Sequence, residues 1–210
     1  MTTLDTRTEQ AIGRPATEAP ERPVGHTTGW WGMVLFICTE SRTFAAFLAS
    51  YFYLRFDHGG PWPPAADKPP HLLFPSVGTG VLVLSCVTMA LAVRAAPKGR
   101  RAGLSLTLLV TLLAGCVFVA FQCIDYTQEM PSSTPRKDTY GSLMYMLTGL
   151  HVVHVLLGLG MLVVLLASTF LGRIGRKRPE PVAIVSLYWY FLAVLAVCIY
   201  GTVYISPYLS

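Results

Sequence analysis

GWWGMVLFICTESRTFAAFLASYFYLRF, residues Gly29 to Phe56, reads as a single helix crossing a bilayer. Trp30 and Trp31 stand at one end of it, and Tyr51 and Tyr53 at the other, where interfacial aromatic belts form. Near its middle lie two ionisable residues, Glu40 and Arg42. A charge at bilayer depth costs at least about 2.5–3.5 kcal/mol on insertion scales, so each residue requires protein, water or bound lipid to face. Residues two apart on a helix point about 200° apart, so the two do not pair with each other. The face of Glu40 is aromatic: Phe36, Phe44, Phe47 and Tyr51. The face of Arg42 is small: Cys38, Ala45, Ala46 and Ala49. The small face is suited to close helix packing, and the aromatic face to a lipid- or partner-facing cleft. Periodicity leaves two readings of Glu40 open. It hydrogen-bonds another helix and fixes packing, or it holds a proton or a lipid headgroup.

The rest of the chain has the same character. Its 210 residues are 53% hydrophobic and 13% charged, against about 25% charged in soluble domains. Mean hydropathy is +0.52. The net charge of +5 does not indicate nucleic acid, because the basic residues sit in short loops between apolar runs. The five cysteines (Cys38, Cys86, Cys116, Cys123, Cys198) have no metal-type spacing and read as free, buried, small apolar residues. Residues 1–28 lack an apolar core and carry acidic side chains, so neither a cleavable signal peptide nor a transit peptide is expected. They read as a disordered tail. Residues 29–210 read as one all-α integral membrane bundle of five helices, at about 30–54, 72–93, 102–124, 140–171 and 182–205. The loop at 55–71 is broken by prolines, and the loop at 125–138 is polar.

Lysine and arginine set the orientation. Three lie in the tail, four in the loop Arg94–Arg101 and four in 173–178, so eleven share one side. Arg55, Lys68, Arg136 and Lys137 lie on the other. The excess places the N-terminus in the cytoplasm and the C-terminus outside.

The fourth run, TGLHVVHVLLGLG, supplies His151 and His154, three apart and on one face with Thr148 and Gly158. Paired histidines can bind a metal, but a metal centre takes three or four ligands and Glu40 is the one plausible third. A hydrogen bond to a carboxylate or a lipid headgroup is the better expectation. His26, His58 and His71 lie in the tail or a loop, too far from the membrane interior to ligate haem or copper there. Gln122 and Asp125, ending the third run, read as interfacial. The sequence shows no nucleophile–base pair, P-loop, dinucleotide fingerprint or CxxCH motif, so no catalytic site is expected in this chain.

Five segments, in order, resemble subunit III of the haem–copper (cytochrome c) oxidases in its short, five-helix form. They are the opening stretch with Thr39-Glu40; GPWPP (60–64) with Trp62; FVAFQCIDY (118–126), with Asp125 where the family has Glu; YGSLMYMLTGLHVVHVLLG (140–158); and YWYFLAVLAVCIYGTVY (188–204). The resemblance covers about Gly29–Ser206 and implies a non-catalytic subunit of a proton-pumping terminal oxidase in a bacterial plasma membrane. Its partners would be subunits I and II, which carry haem and copper and reduce O₂ to water with electrons from cytochrome c or quinol. The subunit itself would hold phospholipid in a cleft and support proton uptake and lasting activity. On this resemblance Glu40, His151 and His154 belong to a proton or lipid cleft, and Arg42 is placed with them as a side chain that reaches a lipid phosphate or a carboxylate on the partner subunit. Trp62, Gln122, Asp125, Trp189 and Tyr190 are expected at subunit or interfacial contacts. Tyr190 and Leu192 stand where the family has His and Asp, and Arg42 has no family counterpart. Two other readings compete: an accessory or assembly protein of a nitric oxide reductase-type complex, and a stand-alone small transporter. The lack of an internal repeat argues against the transporter.

Overall fold

A computed structural model of the chain describes residues 27–57, 59, 72–129, 139–174 and 179–206. Each apolar run forms a helix: α1 Thr28–Asp57, α2 Leu73–Ala95, α3 Arg101–Glu129, α4 Thr139–Phe170 and α5 Glu180–Ile199. A π-helical turn, Tyr200–Ile205, continues α5. All five helices are long and apolar enough to cross a membrane, and there is no strand among the described residues. In lipid every backbone N–H and C=O must be satisfied within the segment, which is why apolar runs of this length fold as helices. The tail up to residue 26, Trp62 with its proline-rich loop, and His26, His58 and His71 lie outside the described residues.

One boundary differs from the sequence reading. The sequence pattern places DYTQE in a loop, yet α3 runs on through it to Glu129. Asp125 is only 1% exposed and points into the bundle, so a polar residue extends the helix here instead of ending it. At the other end of the molecule α4 stops at Phe170 and is closed by a turn through Gly172, whose φ of +71° is the left-handed conformation that suits glycine.

The main core joins α2, α3, α4 and α5 around Trp189. The indole is fully buried and donates from Nε1 to Ser85 Oγ at 2.9 Å. It fits between α3 and α4 because both carry glycine at the contact, Gly115 and Gly158. A Cβ at Gly115 would stand 2.6 Å from Leu159 Cδ2 and 2.7 Å from Trp189 Cη2. The leucine tip can swing away, but the bonded indole cannot. Gly115→Ala is therefore expected to cost about 1–3 kcal/mol, as overpacking does, and to lower the thermal unfolding midpoint in mild detergent. An unchanged midpoint would show that the ring has room to shift.

α1 lies at the periphery. Only Phe44 and Tyr51 of its thirty residues are buried, in a second cluster with Met144, Leu147, Leu195, Ile199, Val203 and Tyr204. Its far end is tied to the end of α5 by hydrogen bonds from Arg55 and between Tyr51 and Ser206. The two faces of α1 are reversed from the sequence expectation. The aromatic face packs on α4 and α5: Phe36 meets the Tyr188 ring at 5.8 Å and Phe44 meets His154 at 5.2 Å. Cys38, Arg42, Ala45, Ala46 and Ala49, expected at a packed seam, are all exposed on this chain. Large rings bury more surface than alanines do, and turning the other face inward would bury an unpaired guanidinium.

Candidate functional site

Glu40 and His154 meet across the α1–α4 seam, with His154 Nε2 and Glu40 Oε2 3.0 Å apart. Their side chains are 22% and 10% exposed, so the pair sits at the edge of the bundle. The rest of the imidazole fixes its protonation pattern. His154 Nδ1 lies 2.8 Å from the Leu150 carbonyl, one turn back along α4. A carbonyl only accepts, so Nδ1 carries a hydrogen and donates. A neutral ring then presents Nε2 as an acceptor to a carboxylate oxygen, which is also an acceptor. One further proton must lie between them, on His154 or on Glu40. The pair thus holds a single proton in a neutral arrangement, as imidazolium with carboxylate or as imidazole with carboxylic acid. Tyr188 donates to the backbone carbonyl of His154 at 3.1 Å, and Phe44 packs edge-on against the ring. Both hold the histidine in place.

His151, one turn along α4, does not join this pair. It is 3% exposed, and neither ring nitrogen has a hydrogen-bond partner among the described residues. Phe118 and Phe44 stand edge-on to it at 5.6 and 6.4 Å. Beyond it lies a second polar cluster. Tyr204 donates to Asp125 Oδ2 at 2.5 Å, and Gln122 Nε2 donates to the same oxygen at 3.2 Å. Tyr126 donates to Thr148 Oγ1 at 2.9 Å, and Thr148 donates to the Met144 carbonyl at 2.6 Å.

The remaining sequence-based residues divide by burial. Gln122, Asp125 and Trp189, expected at an interface, are 9%, 1% and 0% exposed and sit inside this chain. Each has found an internal hydrogen-bond partner, which is the condition for burying a polar group. Tyr190 is half-buried. Arg42 is exposed and makes no ion pair among the described residues. The cysteines are free as expected, but Cys38, Cys116, Cys123 and Cys198 are exposed and Cys86 is intermediate. In a bilayer the apolar outside is a normal place for such residues. No group of three or more His, Cys, Asp or Glu side chains is placed to hold a metal among the described residues. Two site residues escaped the sequence reading, Tyr188 and Tyr204. The signal available was chemical: a tyrosine in a membrane helix that becomes buried needs a hydrogen-bond partner for its phenol.

An apolar groove of about 510 Å³ runs between α4 and α5, walled by Leu156, Leu157, Gly160, Met161, Val164 and Val185 among others. It does not include Glu40, Arg42 or either histidine.

The family model described as Cytochrome c oxidase subunit III matches residues 22–208. Among curated relatives, a probable cytochrome c oxidase subunit 3 of Nocardia farcinica is 34% identical over 174 residues, covering 82% of this chain and 85% of the relative. Its counterpart in Mycobacterium leprae is 32% identical with the same coverage. The cytochrome c oxidase subunit 3 of Mus musculus is 30% identical over 179 residues, covering 83% of this chain and 68% of the relative.

Proposed function

The chain belongs to the cytochrome c oxidase subunit III family, and from that membership we propose that it is the non-catalytic subunit III of a bacterial haem–copper terminal oxidase. Subunits I and II carry the haem and copper and reduce O₂ to water. This chain lies beside them in the plasma membrane, with its N-terminus in the cytoplasm. It supports proton uptake and keeps the catalytic subunit active over many turnovers. The observation that carries this reading is the Glu40–His154 pair. It sits midway along α1, partly open to the outside of the bundle, and its geometry places one proton between the two side chains.

The chain's donor set does not suit haem or copper. His154 is committed to Glu40 and to the Leu150 carbonyl, and no group of three or more His, Cys, Asp or Glu side chains forms around His151 among the described residues. No redox step is assigned to it. Phospholipid is a better match. The groove between α4 and α5 has apolar walls for an acyl chain, and the sequence between those helices carries four basic residues at 173–178 for a phosphate. The exposed face of Arg42, with Cys38, Ala45, Ala46 and Ala49, receives a membrane helix of a partner subunit.

Purification in native lipid tests the reading. The chain is expected to bring down a haem-bearing partner that consumes O₂, together with phospholipid. A monodisperse chain with no haem-bearing partner overturns it. A partner that reduces nitric oxide instead would move the chain to the accessory role in that kind of complex.

A further inference from the structure

His151 is a buried imidazole, and neither of its ring nitrogens has a hydrogen-bond partner among the described residues. The reason lies beside it. A cavity of about 10 Å³ opens between α2, α3, α4 and α5, bordered by His151, Gln122, Thr148, Thr79 and Tyr204. That is the size at which a cavity admits one water, provided two to four polar groups are there to hold it. They are present. Gln122 uses its amide N–H on Asp125, which leaves its carbonyl oxygen to accept. Thr148 Oγ1 donates to Met144 and accepts from Tyr126, which leaves one lone pair. The His151 ring supplies one donor and one acceptor. Purely apolar cavities stay dry, but this one has polar walls and an unpartnered ring nitrogen.

We propose that the cavity between His151, Gln122 and Thr148 is a binding site for a single ordered water molecule, which completes the hydrogen bonding of His151. The water joins His151 to the Asp125–Gln122–Tyr204 cluster. A continuous polar track then leads from the end of α3 to within one helical turn of the Glu40–His154 pair. This site rests on packing and hydrogen-bond satisfaction alone and does not depend on the oxidase reading.

His151→Leu, close to histidine in volume, separates the wet site from a dry one. If the water is present, leucine expels it and leaves Gln122 and Thr148 short of a partner. The unfolding midpoint of the assembled, lipid-embedded protein then falls by about 2–4 °C or more, the shift one lost interaction produces in a chain of this size. If the cavity is dry, the histidine is an orphaned polar group, and leucine raises the midpoint. His151→Gln, which can still bond a water, keeps the midpoint nearer the parent. A high-resolution structure of the native complex in nanodiscs supplies the second measurement. Density within hydrogen-bond distance of a His151 ring nitrogen and of Gln122 or Thr148 is expected. An empty cavity, or a His151 ring bonded directly to protein, overturns the proposal.

Discussion

Glu40→Ala is expected to leave the initial rate of O₂ reduction within about twofold of the parent, because the proposed role gives this chain no electron-transfer step. The enzyme should nevertheless lose activity several times faster under turnover, or take up protons more slowly. Both effects follow from the pair. Without the carboxylate, His154 keeps its Nδ1 bond to Leu150 but loses the group that shares its second proton. A neutral imidazole replaces a proton-holding pair at the seam between α1 and the bundle. Only Phe44 and Tyr51 of α1 are buried, and its other polar ties to the bundle, from Tyr51 and Arg55 to Ser206, lie at its far end. A hydrogen bond to a charged group contributes about 1.5–3 kcal/mol, a large share of what fixes α1 in place. His154→Leu should produce a similar loss, and the double variant should be little worse than either single one. Residues in one hydrogen bond couple, typically by about 0.5–3 kcal/mol. The measurement is O₂ consumption followed over thousands of turnovers, alongside proton uptake in vesicles. Immediate loss of all activity with normal haem spectra would mean that Glu40 belongs to the chemistry itself. Strict additivity of the two substitutions would mean that the 3.0 Å contact carries no energy.

The five spans were legible because the bilayer is a severe solvent. It admits only helices, and it needs about twenty apolar residues for each. The Glu40–histidine constellation was legible too, since residues three and four apart share a face. Which histidine Glu40 chooses was not. His151 and His154 differ by one turn, and the choice depends on how α1 docks along α4, which periodicity does not encode. The reversal of the α1 faces has a similar cause. A stripe of small residues looks like a packing seam, but it becomes one only when a second helix is there to fill it. Within this chain the aromatic face wins, because Phe36, Phe44 and Tyr51 find rings and hydroxyls on α4 and α5. Asp125 was misread for a different reason. DYTQE after an apolar run resembles an exit into water, and Tyr204, some eighty residues later, joins Gln122 in making burial of the acid tolerable.

The reversal makes Arg42 the strongest handle on the rest of the complex. At about 1.5 Å per residue, Arg42 stands about 17 Å from the Trp30–Trp31 belt and about 15 Å from the Tyr51–Tyr53 belt. It is therefore at mid-depth, on the outside of this chain, with no ion pair among the described residues. The hydrocarbon core is about 30 Å thick, so phosphates of either leaflet lie about 15 Å away, out of the reach of one side chain. A carboxylate on a partner's membrane helix is at the right depth, and the small residues around Arg42 let that helix approach closely. Arg42→Ala should then leave that acid buried and unpaired, which costs about 3–5 kcal/mol. Such a loss weakens association about 100-fold or more, so the chain should dissociate from its partner in detergent where the parent stays bound. Arg42→Lys should restore retention in part, since it keeps the charge but not the planar fork. Native mass spectrometry of the purified complex gives the result directly. If Arg42→Ala retains the partner unchanged and loses an anionic phospholipid, the guanidinium serves a lipid drawn into the membrane. If it retains both, Arg42 reaches water along the surface of α1, and the docking face must be sought on another helix.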